Sequence, residues 1–252
     1  MDTTLNQDVV AEIWRPVVLT FESACSFDNP FLDVEIWAEF AGPSGRVVRR
    51  EAYWDGDRTY RVSFAPTELG AWNYVIEAPE QTGLNGRAGR INAVPYTGEL
   101  DLYRHGFIRV ADNPHLFAYA DGTPFFWLGD THWEFAYRES WDKSNHPGMT
   151  SQFCGMVDLR AKQGFTVYQT NLRSDMGAAD RYWIDGGMPK GAEDLPNVAF
   201  YQQELDRRMA YIADAGLVNA LGQSWAFSIR GEHGVEHQKH LARYLVARYG
   251  AY

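Results

Sequence analysis

Residue types suited to acid–base or sugar-binding chemistry are concentrated in one stretch, residues 121–134, with the sequence Asp-Gly-Thr-Pro-Phe-Phe-Trp-Leu-Gly-Asp-Thr-His-Trp-Glu. Its apolar run, Phe125 to Leu128, predicts a short strand buried on both faces of a parallel sheet. Asp130, Trp133 and Glu134 follow this run. Because α/β barrels place their active sites at the carboxyl ends of parallel strands, we predict a site here. The alternative is an ordinary strand-to-helix connection that Asp130 caps.

From residue 125 onward, short apolar strands alternate with amphipathic helices, and a glycine follows each helix. This order is typical of a βα barrel or a doubly wound sheet. A complete eight-fold barrel takes about 250 residues, whereas fewer than 150 follow residue 105. We therefore expect a barrel domain over residues 105–252, truncated after about three βα units. The predicted strands are Phe125–Leu128, Phe165–Gln169 and Leu217–Leu221, and the predicted helices are Thr150–Gln163, Phe200–Ala215 and Val235–Tyr249.

Residues 9–98 have a different pattern, in which apolar and polar residues alternate along short segments separated by turn residues. Leu32 to Phe40 alternates in this way, as do Tyr60 to Phe64 and Trp72 to Ile76. Six or seven short strands at this spacing, without a clear helix, predict an antiparallel β-sandwich. The segment Pro95 to Arg104 is the expected linker to the second domain.

Composition narrows the partners of the protein. The chain has 252 residues and a formal net charge of −10, without a Lys/Arg-rich block, so we expect no nucleic-acid partner. No apolar run approaches the ~20 residues that span a membrane, and no signal peptide is recognisable. The sequence as written predicts a cytoplasmic location, or an extracytoplasmic one if a leader was removed. Nine tryptophans suit either sugar-stacking faces or a large aromatic core.

One short motif resembles a metal site. His233-Gly-Val-Glu236-His237 matches the H-x-x-E-H pattern of one group of zinc proteases. Gly234 lies inside the motif, and no third ligand is recognisable in the fifteen residues that follow it. A polar helix N-terminus is the better interpretation, so we predict neither a metal nor a cofactor.

Four stretches together resemble apiosidase-like glycoside hydrolases. They are Phe-Ala-Pro-Thr-Glu-Leu-Gly-Ala-Trp-Asn-Tyr from residue 64, Gly-Phe-Ile-Arg-Val from 106, the stretch 121–134, and Lys-Gln-Gly-Phe-Thr-Val-Tyr-Gln from 162. The resemblance implies an immunoglobulin-like domain followed by a (β/α)8 TIM barrel that hydrolyses a sugar polymer. It also implies that residues at the strand ends contact the polysaccharide or oligosaccharide: Asp130, Trp133, Glu134 and Gln169. Trp225, just past the third predicted strand, fits an aromatic residue of the cleft wall, and we include Asn171 among the predicted sugar contacts.

Glycoside hydrolysis requires two carboxylates, one of which donates a proton to the leaving group. The resemblance assigns this pair to later barrel strands. Asp130 and Glu134 are the candidates within this chain, although we interpret both as substrate-positioning groups. We therefore predict a glycosidase of plant or microbial polysaccharides whose chain, taken alone, is inactive. The alternative is a non-catalytic carbohydrate-binding or interaction protein. An incomplete barrel leaves an open strand edge, through which we expect self-association.

Overall fold

The computed structural model describes residues 8–133, 135, 139–144, 146–149, 151–171, 195–222 and 234–252, with the backbone alone for 234, 237 and 238. These residues form two compact units. One unit comprises the described residues up to Gly98 together with Lys239–Ala251. The other comprises those from Glu99 to Gln238, with Tyr252. Within the described ranges, none of the helices has both the length and the apolar character that a membrane crossing requires.

The first unit contains two β-sheets. The larger one has the strand order β1-β8-β7-β3-β4, and the smaller one has the order β2-β6-β5. The pairs are antiparallel except that β1 runs parallel to β8, which the predicted all-antiparallel sandwich did not include. The strands are β1 (Asp8–Glu12), β2 (Val17–Glu22), β3 (Trp37–Ala41), β4 (Val47–Glu51), β5 (Tyr53–Trp54), β6 (Thr59–Phe64), β7 (Gly70–Glu77) and β8 (Ala88–Val94).

Aromatic side chains join the two sheets of this unit. Phe40 on β3 stacks on Phe64 of β6 with ring centroids 3.9 Å apart, and Trp72 on β7 meets Phe64 edge-on at 5.1 Å. All three side chains are at most 2% exposed. The indole N–H of Trp72 donates to the carbonyl of Glu68 at 2.9 Å, which satisfies its buried polar atom. These tryptophan and phenylalanine residues therefore belong to a core rather than to a sugar platform.

The C-terminal helix contributes its last turns to the first unit. The sequence assigned residues 239–251 to the 105–252 domain, whereas their contacts group them with the strands of the sandwich. Arg248 pairs with Asp55 at 2.7 Å, and both side chains are almost wholly buried. Arg243 pairs with Glu51 at 2.5 Å, and the hydroxyl of Tyr244 donates to a backbone carbonyl at 3.2 Å. These bonds are between residues far apart in sequence, so the apolar periodicity of the helix did not reveal them.

The described part of the second unit contains two three-stranded sheets. A small antiparallel sheet has the order β11-β10-β9, and a parallel sheet has the order β12-β13-β14. Its strands are β9 (Arg109–Val110), β10 (Phe117–Ala118), β11 (Pro124–Phe125), β12 (Gly129–His132), β13 (Val167–Asn171) and β14 (Val218–Gly222). Among the described residues, the α-helices are α1 (Asp101–Arg104), α2 (Gln152–Lys162), α3 (Val198–Phe200), α4 (Asp206–Asp214) and α5 (Gly234–Tyr249), with a π-helical turn, Tyr201–Leu205, between α3 and α4 and a 3-10 helix at Glu80–Thr82.

The first parallel strand lies four residues later than the sequence predicted. Phe125 ends β11 of the antiparallel sheet, and its ring meets Tyr119 edge-on with centroids 5.2 Å apart. Phe126 is 73% exposed and Trp127 46% exposed, so this run is not a strand buried on both faces. The strand that pairs with β13 begins at Gly129. Apolarity alone placed the predicted strand, but pairing with β13 decides its position.

Candidate functional site at the carboxyl end of the parallel sheet

The two faces of the parallel sheet carry different sets of side chains. Residues in register on neighbouring parallel strands project to the same side, and successive residues alternate sides. Thr131 is in register with Gln169, and Asn171 is two residues further along β13, so these three share one face. Asp130 and His132 project to the opposite face, together with Tyr168, Thr170 and Asn219.

The first face changes from apolar to polar along the strand direction. Near the start of the strands, Val167 packs in a buried cluster with Tyr119 and Phe125. Near their carboxyl ends, the side chains of Thr131 and Gln169 are exposed, and Asn171 is 4% exposed. Hydroxyl and carboxamide groups both donate and accept hydrogen bonds, as sugar hydroxyls require. The exposed groups of Thr131 and Gln169 can therefore bind a polyhydroxylated ligand at this end of the face, whereas the other end is apolar.

Asp130 is bonded to the helix that follows its strand. Its Oδ2 accepts from Nε of Arg160 on α2 at 2.5 Å, and its Oδ1 accepts from the N–H of Thr131 at 2.9 Å. The sequence predicted that Asp130 would contact substrate beside Gln169 and Asn171. The structure places it on the other face of the sheet, where its carboxylate links β12 to α2. Strand alternation is the physical reason, because Asp130 lies within β12 rather than after it.

On the second face, the ring of His132 on β12 is bonded to Tyr168 on β13 and to Glu139, which follows β12 in the chain. Its Nδ1 bonds to the hydroxyl of Tyr168, and its Nε2 bonds to Oε1 of Glu139. The side chains of His132 and Glu139 are only 13% and 10% exposed. Burial raises the pKa of the Tyr168 hydroxyl, and the nearby carboxylates of Glu139 and Asp130 raise it further. Tyr168 is therefore a neutral hydrogen-bond donor at physiological pH.

The structure brings together only part of the predicted site. Trp133 directly follows β12 and is 44% exposed. Glu134, Trp225 and His233 lie outside the described residues. The sequence argument assigned no role to Thr131 or His132. The reason is that the first strand was predicted to end at Leu128. A strand starting at Gly129 would have placed Thr131 and Gln169 on one face of the sheet. Within the described ranges, no three His, Cys, Asp or Glu side chains cluster as metal ligands would.

The fold and the site define a class of protein: a β-sandwich unit with an α/β unit whose parallel strands end in a polar edge. Residues 10–79 match a family described as a domain of unknown function, DUF5060. Residues 111–252 match the family described as the apiosidase-like catalytic domain. This second match covers more than half of the chain, which therefore belongs to the apiosidase-like family.

One solved structure shares the fold of this chain. A candidate glycoside hydrolase from Bacteroides vulgatus ATCC 8482 is 23% identical, with a TM-score of 0.67 over 97% of this chain and 48% of that one. The chain thus spans about half the length of that structure. A family 123 glycoside hydrolase from Clostridium perfringens is 10% identical, with a TM-score of 0.28 over 84% of this chain and 41% of that one. Among curated proteins, none matches the sequence.

Proposed function

We propose that the protein hydrolyses glycosidic bonds in a plant or microbial polysaccharide, and that the carboxyl end of its parallel sheet forms part of the sugar-binding site. The observation that carries the proposal is the polar end of one sheet face, formed by Thr131, Gln169 and Asn171. The exposed indole of Trp133 supplies an apolar surface for the C–H face of a sugar ring. The family of the chain and its structural relative support the same class of substrate.

The parallel sheet fits the first part of a (β/α)8 barrel. Its strands follow one another in chain order, β12-β13-β14, and α2 connects the first two. Ligands of such barrels bind at the carboxyl ends of the strands. The β-sandwich that precedes it fits the immunoglobulin-like domain that the resemblance implies. Both finer assignments, the barrel and the immunoglobulin-like domain, are part of this proposal.

The catalytic carboxylate pair is not assigned to described residues. Hydrolysis with retention places the two carboxyl groups roughly 5–5.5 Å apart, and inversion roughly 6.5–9.5 Å apart, across the scissile bond. Asp130 and Glu139, the carboxylates beside the sheet, are bonded to Arg160 and His132 on the face opposite Gln169. We therefore assign substrate positioning to the polar end of the sheet face and to Trp133, and a structural role to Asp130.

Binding and turnover test this proposal directly. The purified protein is assayed against soluble pectin, xylan and arabinogalactan, by affinity electrophoresis and by release of reducing ends. Gln169→Ala removes one carboxamide from the polar face, and we expect about a fivefold weaker affinity for the polysaccharide that binds. Gln81→Ala, at an exposed position of the first unit, is the matched control. Equal affinities of the two variants, or no binding by the wild type, would refute the proposal.

Asp130→Asn separates the structural role from a catalytic one. We expect this variant to keep its polysaccharide affinity and to lose stability, because it weakens the bond to Arg160. Loss of turnover at unchanged stability would instead make Asp130 catalytic. Binding without release of reducing ends would agree with the prediction that the chain taken alone is inactive, and the alternative function, a non-catalytic carbohydrate-binding protein, predicts the same result. Asp130 and Glu139 are both bonded to other side chains, and this observation supports the alternative.

A further inference from the structure

A buried arginine binds the backbone of two residues that follow β12, Phe135 and Glu139. Arg208 on α4 is 1% exposed. Its Nε donates to the carbonyl of Phe135, and its Nη2 donates to the carbonyl of Glu139, both at 2.9 Å. A planar guanidinium fixes the directions of its donors. These two bonds therefore fix two points of the segment after β12 relative to α4.

Aromatic rings surround the same arginine. The Phe135 side chain is fully buried and contacts Phe153 of α2, with ring centroids 6.2 Å apart. The guanidinium carbon of Arg208 lies 5.2 Å from the ring centre of Phe153 and 5.8 Å from that of Trp141. Each contact lies within the range in which a cation is attracted to an aromatic face. Phe135 is thus held by packing as well as by its hydrogen bond to Arg208.

The side chain of Glu139 is hydrogen-bonded to the parallel sheet. Glu139 Oε1 bonds to the ring of His132 at the end of β12, and the same ring bonds to the hydroxyl of Tyr168 on β13. One tautomer satisfies both bonds: Nε2–H donates to Glu139, and Nδ1 accepts from the Tyr168 hydroxyl. One continuous chain of hydrogen bonds therefore runs from Tyr168 on β13 through His132 on β12 and Glu139 to Arg208 on α4.

Trp133 lies in the chain between His132, whose ring is bonded to Tyr168 and Glu139, and Phe135, whose carbonyl is bonded to Arg208. We propose that His132, Glu139 and Arg208 are positioning residues that hold Trp133 in a binding-ready orientation at the polar end of the sheet. None of the three touches the sugar. They act by removing the freedom that the Trp133 ring would otherwise lose on binding. This inference rests on the proposed sugar-binding role of Trp133.

A matched pair of hydroxyl deletions tests the inference. Tyr168→Phe removes the group that His132 Nδ1 binds. Tyr211→Phe removes a hydroxyl that donates to Asp158 at 2.7 Å, and it keeps the ring that contacts Trp141 and Phe153. We expect Tyr168→Phe to weaken polysaccharide affinity about fivefold, and Tyr211→Phe to leave it unchanged. Hydrogen exchange of peptides containing Phe135 and Glu139 should become faster in the first variant only.

A double-mutant cycle distinguishes positioning from general destabilisation. In a Trp133→Ala background, Tyr168→Phe should cause no further loss of affinity, because the ring that it positions is absent. Glu139→Ala should behave as Tyr168→Phe does, and Glu139→Gln should recover most of the affinity because its amide oxygen still accepts from His132.

The outcomes separate this inference from the proposed function. If the wild type binds none of the polysaccharides, or if Trp133→Ala binds as tightly as the wild type, the sugar-binding role of Trp133 is wrong and the inference falls with it. If Trp133→Ala binds more weakly than the wild type, but Tyr168→Phe and Tyr211→Phe bind alike, only the positioning inference is wrong. Equal losses from Tyr168→Phe with and without Trp133 would also overturn it.

Discussion

Replacement of Asp55 by asparagine tests the attachment of the C-terminal helix to the sandwich. Asp55 Oδ1 accepts from Nη1 of Arg248 at 2.7 Å, and the two side chains are 0% and 1% exposed. The guanidinium of Arg248 also lies over the ring of Tyr53, 4.7 Å from its centre. Arg61 Nε lies 2.9 Å from the other carboxylate oxygen. One buried carboxylate thus compensates two arginine charges.

The burial of this pair sets the expected loss of stability. Asparagine keeps the shape of Asp55 but removes its charge, so Arg248 remains buried without that compensation. Removal of one partner from a buried ion pair costs about 3–5 kcal/mol. The matched control is Glu77→Gln, which breaks the pair between Arg49 and Glu77, whose side chains are 49% and 72% exposed. An exposed pair contributes roughly 0–1 kcal/mol.

Urea unfolding followed by tryptophan fluorescence provides the measurement. We expect Asp55→Asn to lower the free energy of unfolding by several times the effect of Glu77→Gln. Addition of Arg248→Met should recover part of the loss, since it removes the uncompensated charge. If Asp55→Asn costs no more than the exposed control, the reasoning that this buried ion pair attaches the helix to the sandwich is refuted.

Three further predictions concern local features. Ser151 caps α2, because its Oγ accepts from the backbone N–H of Cys154 at 3.1 Å. Ser151→Ala removes this cap, and thermal unfolding should show a loss of stability of about 1 kcal/mol. Asp121 accepts a hydrogen bond from the N–H of Thr123, which lowers its pKa to about 2. Its stabilising effect should therefore be present above pH ~4 and be lost as the pH falls through 2; an NMR titration midpoint near 4 would contradict this. Phe40→Ala removes a fully buried ring stacked on Phe64 and should cost about 3–5 kcal/mol in chemical denaturation, whereas a loss below about 1 kcal/mol would contradict the assigned core.

Patterns within a few residues predicted the local elements well. The alternation of Tyr60 to Phe64 became β6, and that of Trp72 to Ile76 became β7. The predicted end of α2 at Gly164 also holds, because this glycine adopts φ 79°, which other residues rarely tolerate. In contrast, the alternation from Leu32 gave a strand only from Trp37 onward. A strand requires a paired neighbour, and alternation alone does not supply one.

The site shows the same division between local and distant causes. The sequence identified Gln169 and Asn171 near the end of a parallel strand, and the structure places both on the polar face. It could not reveal that Asp130 faces away from them toward Arg160, thirty residues later in the chain. Because the first parallel strand was predicted four residues too early, the residues of β12 were interpreted as loop residues. Register, not residue type, therefore decided which polar groups share a face.

By itself, the sequence determined the division into β-rich and α/β parts, the helix ends and the family, because each of these depends on the order and spacing of nearby residues. Only the tertiary structure decided the face of Asp130, the chain of bonds through His132 and the docking of residues 239–251 on the sandwich. These depend on pairings between distant segments such as Asp55 and Arg248. The energy of such a pairing arises only when burial and geometry bring the partners together, so no local pattern encodes it.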